Sequence, residues 1–213
     1  ATQIRHAIDT ALTTRLSVLK STAAQISVDQ AGGDASSLRQ NLHLIALQAQ
    51  FPEFRWLGIA DKEGQLLATH PDSQAKSVAD LAWFQKGRQA PFVGHADPFP
   101  PLDEAPVTRA PGRQGFVMAV PIVQLSGELI GVLGAALPWE WLEGEENTLL
   151  RQLESRRSLQ LLIAKADEKA LLGPPEWLGR SLGNDTDLSE DGQYVIGRNL
   201  IAPQRQQGLG WIV

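Results

Sequence analysis

The stretch GFVMAVPIVQLSGELIGVLGAAL, residues 115–137, decides the fold. GFVMAVPIVQ (115–124) and LIGVLGAAL (129–137) are apolar runs of strand composition, and LSGE (125–128) between them has the composition of a turn. Two strands joined so closely pair antiparallel. Upstream the grammar repeats. FRWLGIA (54–60) reads as a strand, DKEG (61–64) as a tight turn with Asp61 and Gly64 supplying the turn conformations, and QLLATH (65–70) as a second strand. SVADLAWFQKGRQ (77–89) reads as a short helix, and PFVGHADPF (91–99) as a strand opening into the proline-rich loop 98–111. Antiparallel strands with a helix inserted between the second and third make an α+β layer, not a Rossmann unit.

The N-terminal fifty residues are helical. Ile4, Ile8, Leu12, Leu16, Leu19, Ala23 and Ile26 form one apolar stripe, which predicts a long helix over residues 1–30. At ~1.5 Å per residue it is a rod of about 45 Å. The stripe fits either its own core or a partner helix, since its near-heptad spacing permits a dimer seam. AGGD (31–34) breaks the rod, and Ser36 or Ser37 caps a second helix with Leu38, Leu42, Ile45 and Ala49 on one face. Downstream, PWEWLEGEENTLLRQLES (138–155) starts a helix, and LQLLIAKAD (159–167), QYVIGRNLIA (193–202) and LGWIV (209–213) read as strands of a smaller α+β unit. The expected division is 1–50 as a helical stalk, 51–142 as a larger lobe and 143–213 as a smaller one.

Composition narrows the function. A net charge of −5 leaves no basic stripe to meet phosphates, which argues against nucleic acid. Cysteine is absent, so disulfides and thiolate metal sites are excluded. No segment approaches the ~20 apolar residues that span a bilayer. The start at Ala1 and the ending GWIV read as cut ends, with membrane helices expected just outside them. No GxSxG elbow, P-loop, GxGxxG after a strand or HExxH is present, so no enzyme motif, metal centre or cofactor is expected.

Candidate binding residues cluster in the middle third. Trp83 and Phe84 sit in the short helix about 100° apart, one for the core and one for a pocket; Trp83 is favoured for the pocket because its indole N–H seeks a polar partner. Arg88 lies one turn beyond Phe84, and both Arg88 and Arg55 offer a guanidinium fork to a carboxylate. In GHAD, His95 and Asp97 share one side of a strand and fit polar roles better than metal ligation, which needs more partners. His6 and His43 fall in helices with surface or packing roles. The acidic runs EGEEN (143–147) and NDTDLSED (184–191) are solvated charge.

The order of these elements, with AVPI…GELIGVLG (119–134), DKEGQLLAT and the Trp–Phe pair, resembles the double Cache (dCache) domain, the extracytoplasmic sensor of bacterial transmembrane receptors. The resemblance implies a long helix followed by two PAS-like lobes, periplasmic and dimeric, with the membrane-distal lobe holding a small molecule beneath the helix that carries the aromatic pair. Its implied ligand contacts are Trp83, Phe84, Arg88, His95, Asp97, Met118 and Ala136. Members that recognise amino acids carry an Arg-x-Trp-Tyr run and an Asp in the last strand. Here the aligned residues are Leu81-Ala82-Trp83-Phe84 and Ala136, so the expected ligand is not an α-amino acid. The output expected from this analogy is a diguanylate cyclase, then a histidine kinase or chemoreceptor. The alternative is a dimerising or protein-interaction module that binds no small molecule.

Overall fold

The computed structural model describes residues 2–31, 37–96, 115–138, 141, 163–165, 170–172 and 211–212. The chain divides into two compact units: Thr14–Trp141, and Ala1–Thr13 together with Leu142–Val213. In the first unit, helix α1 (Thr2–Ala31), which begins in the other unit, leads to α2 (Ser37–Gln50). A five-stranded sheet follows, built of β1 (Trp56–Asp61), β2 (Leu66–His70), β3 (Phe92–Ala96), β4 (Gly115–Val123) and β5 (Leu129–Pro138), with α3 (Ala82–Gly87) between β2 and β3. The strand order is β2-β1-β5-β4-β3 and every pairing is antiparallel. The described part of the second unit contains a three-stranded sheet of β6 (Ile163–Lys165), β7 (Ala170–Leu172) and β8 (Trp211–Ile212), in the order β7-β6-β8.

The two hairpins close as their sequences predict. Asp61 Oδ1 accepts from the backbone N–H of Glu63 at 3.0 Å and of Gln65 at 2.8 Å, an Asx turn that folds the chain back. Gly64 completes it at φ 89°, where a side chain is strained. In the β4–β5 hairpin, Gln124 N–H donates to the Glu128 carbonyl and Gly127 N–H to the Gln124 carbonyl, both at 2.8 Å, leaving Leu125 fully exposed at the tip.

Strand alternation sorts the sheet into two faces. Val117 and Ala119 of β4, Val132 and Ala136 of β5 and Trp56 and Ala60 of β1 share one face, with α3 packed over it. Phe116 and Met118 of β4 point to the other, where Met118 stands opposite Ala135. On that side Phe116 meets Trp141 at 5.8 Å, and Trp141 lies 4.8 Å from the Arg15 guanidinium of α1. Arg15 is also paired with Glu53 at 2.9 Å. Farther along α1 the Ser27 hydroxyl donates to the Val123 carbonyl at 2.7 Å. These contacts lay α1 along the second face, and Leu16, Leu19, Ala23 and Ile26 are buried there. Of the two uses open to that stripe, its own core takes the part from Leu12 to Ile26.

Two expectations need correction. In α2 the buried residues are Gln40, Leu44 and Leu47, whereas Leu42 is 56% exposed and Ile45 47%. The helix carries two leucine-bearing stripes. The one that continues into Phe51 and Phe54, which touch at 5.9 Å, faces the sheet although it contains a glutamine. The helix expected over 77–89 contracts to Ala82–Gly87. Residues before it are tied to the first hairpin: Gln65 bridges Ser77, and Val78 N–H donates to the Gly64 carbonyl at 2.8 Å.

Candidate functional site: a tryptophan-floored cup under helix α3

The sheet face beneath α3 forms a cup that its own side chains fill: β1, β5 and β4 make the floor, Trp83 and Phe84 of α3 the roof, Val78 closes one side, and Leu66, Leu81 and Phe92 pack around the margin. The floor is set by small residues. A Cβ on Gly134 would lie 2.7 Å from Trp83 Cζ3 and 3.3 Å from Trp56 Cζ3, so both indoles converge on a position that only glycine leaves open. Trp56, opposite Ala136 in the strand register, lays its six-membered ring over Gly58, where a Cβ would approach to 2.3 Å. Trp56 and Trp83 meet edge to face, 5.8 Å between centroids at 66°, and Trp83 meets Phe84 at 6.2 Å and 90°. Such edge contacts set the positive edge of one ring against the negative face of the other and are worth about 0.5–1.5 kcal/mol beyond area burial.

The electrostatics of the cup are unusual in one respect. The buried polar residues among those described, Thr22, Ser27 and Gln40, all belong to α1 and α2. The cup thus holds no buried charged side chain among the described residues. It does hold two donors: the Nε1 atoms of Trp56 and Trp83 are buried and have no hydrogen-bond partner among the described residues. Each such orphan costs about 1–3 kcal/mol. Both become satisfied if an acceptor enters.

The residues expected to bind ligand are not all gathered here. Trp83, Phe84 and Ala136 line the cup. Trp83 is 6% exposed and Phe84 1%, so both halves of the aromatic pair are buried. Arg88 is exposed at the C-cap of α3 with its guanidinium 5.7 Å from the Phe84 ring, and the Lys86 ammonium lies 5.0 Å from the Phe92 ring. Arg55 is exposed; its backbone N–H donates to the Ala136 carbonyl at 2.9 Å. Met118 is buried on the opposite face. His95 pairs with Phe116 in β3–β4, and Asp97 lies outside the described residues. Among the described residues no three His, Asp or Glu side chains come together as metal ligands. Trp56, which opens β1, is fully buried in the same cluster, and Gly58 and Gly134 make room for its ring.

No family model and no curated protein matches the amino-acid sequence. Solved structures do match the fold. The ligand-binding domain of the Pseudomonas aeruginosa amino-acid chemoreceptor PctC, in complex with GABA, superposes with a TM-score of 0.61 at 17% identity over 90% of this chain and 79% of that one. The corresponding domain of Pseudomonas fluorescens chemoreceptor CtaA with L-serine gives 0.56 at 19%, over 85% and 73%. That of P. aeruginosa PctB with L-Arg gives 0.58 at 14%, over 88% and 73%. These neighbours overturn the expectation that the fold here, lacking an Arg at Leu81 and an Asp at Ala136, excludes α-amino acids: domains of this architecture hold L-serine and L-arginine. The physical error was to equate two missing contacts with a missing site. A zwitterion can be gripped by neutral N–H donors and backbone carbonyls as well as by ion pairs. Among the described residues no helix is long and apolar enough to cross a membrane.

Proposed function

Because the chain has the fold of the double Cache (dCache) sensor domains, we propose that it is the periplasmic sensing part of a membrane-anchored signal-transduction receptor, and that its cup takes up a small carboxylate-bearing molecule of the amino-acid class. The observation that carries this reading is the Trp83 indole N–H, buried on the helix that roofs the cup with no acceptor among the described residues. In this reading residues 51–142 form the membrane-distal, ligand-binding lobe, 143–213 the proximal lobe and 1–50 the stalk. Trp83, Phe84 and Ala136 wall the ligand, with Arg88, His95 and Asp97 supplying polar contacts. Ligand would bias a two-state packing of α1 or of the terminal strand, and the output module reads that bias. A diguanylate cyclase is our assignment for that module, ahead of a histidine kinase or chemoreceptor. The sequence of the whole receptor decides between them.

The test is a thermal-shift screen of the chain against L-amino acids, GABA and simple organic acids. A ligand present at ~100 times its Kd adds about 2.7 kcal/mol of stability. A chain that no carboxylate in the screen stabilises is not a sensor of this class.

A further inference from the structure

β2 is the outermost strand on its side of the sheet, α2 packs against it, and the chain that follows it turns back along its outer edge. That return is tied at two points: the Leu66 N–H donates to the Lys76 carbonyl at 2.9 Å, and the Ser73 N–H donates to Thr69 Oγ1 at 2.9 Å. Between them the Ala75 N–H donates to Ser73 Oγ at 3.2 Å. Helix, strand and returning segment frame a cleft of about 210 Å³, lined by Asn41 of α2, Leu67, Ala68 and Thr69 of β2, and Asp72 and Ser73 beyond it. We propose that this cleft binds a small primary ammonium ion, received by Asp72, Asn41 and Thr69. None of these three residues belongs to the cup, so the proposal does not depend on the reading of the cup.

The lining selects the ligand. Asp72 is the only charged side chain in it, and among the described residues neither Asp72 nor Asn41 makes a side-chain hydrogen bond or ion pair. An ionised carboxylate only accepts, so the ligand must donate, and anions are repelled. An ammonium group carries three N–H donors and a positive charge, and Asp72, the Asn41 carbonyl and the Thr69 hydroxyl supply three oxygens, one of them ionised. A neutral polyol would leave the charge of Asp72 uncompensated. A divalent metal ion needs several carboxylates, and among the described residues no three His, Asp or Glu side chains gather. Size narrows the choice further. The cleft lies below the ~300–1,000 Å³ of sites that hold drug-sized molecules and equals roughly seven waters, which suits an amine of a few carbons. Leu67, 40% exposed, offers its alkyl part an apolar wall.

The experiment follows backbone and indole ¹H–¹⁵N spectra of the chain as propylammonium chloride is added at constant ionic strength and neutral pH. Propanol, propionate and calcium chloride serve as comparisons, and the titration is repeated on Asp72→Asn. Asp72 is exposed, so the variant should keep the fold, which its own spectrum verifies. We expect saturable shifts at Asn41, Leu67, Thr69 and Asp72 with a Kd of roughly millimolar order, since the carboxylate faces water. The Trp83 indole signal should stay in place. Neither propanol nor propionate should reproduce the shifts, and Asp72→Asn should weaken binding by about tenfold or more. Absence of saturable shifts at these residues, equal affinity in Asp72→Asn, or the same shifts with calcium or propanol overturns the proposal. Shifts confined to Trp83 and its neighbours would place the amine in the cup, overturning this site while leaving the sensor reading standing.

Discussion

At Gly134 the sheet has no side chain because two indoles occupy the space a methyl would fill. Gly134→Ala drives a Cβ to 2.7 Å from Trp83 Cζ3, and the neighbour is a rigid ring, not a flexible tip. The expected cost is about 1–3 kcal/mol in urea unfolding, with a change in tryptophan fluorescence as the indoles separate. Asp61→Ala, by contrast, removes an acceptor shared by two exposed N–H groups, and the expected loss is about 1 kcal/mol with the emission spectrum unchanged. At this scale the sequence was partly legible. Trp83 announced itself as an aromatic with a polar handle in a short amphipathic helix, and Asp61 and Gly64 as turn formers. Trp56 did not, because a buried N–H without an acceptor is a fact of three dimensions, and a pattern of apolar letters carries no information about it.

Elements come out well where a single periodicity dominates. The α1 stripe and the four strand runs at 56–61, 66–70, 115–123 and 129–138 have one reading each. Helix α2 has two, and the burial of Gln40 beside Leu44 and Leu47 depends on which stripe runs on into Phe51 and Phe54. A pair of truncations measures the outcome. Leu44→Ala should cost about 2–5 kcal/mol, and Leu42→Ala, half exposed, within about 0.5 kcal/mol of zero. Equal losses would return the helix to the face its sequence first indicates. Between elements, Arg15 does the joining: it pairs with Glu53 and lies over both Trp141 and Phe51. Both partners of the ion pair are mostly buried, at 18% and 15% side-chain exposure, so screening is limited. Arg15→Met keeps much of the apolar stem and should still cost about 1–3 kcal/mol, because Glu53 loses its partner.

For the molecule as a whole, the commitment of Leu16, Leu19, Ala23 and Ile26 to the lobe's own core has a consequence for assembly. The outer side of α1 presents Thr13, Thr14, Ser17, Lys20, Ser21 and Gln25, too polar to drive association by area burial. Sedimentation at micromolar concentration should therefore give a species near 23.2 kDa, the monomer mass. A dimer stable under those conditions would mean that another surface does the pairing. The α+β layering was legible from hairpins and an intervening helix. The conclusion drawn from Leu81 and Ala136 about the ligand was not sound, since a fold tolerates several ways of holding the same small ion.

The β4–β5 hairpin tip offers a practical opening. Leu125 stands clear of the sheet, and the chain has no native thiol, so Leu125→Cys would create a single attachment point for a solvatochromic dye. From that tip β5 leads back to Gly134 and Ala136, which places the reporter on the same strand as the floor of the cup.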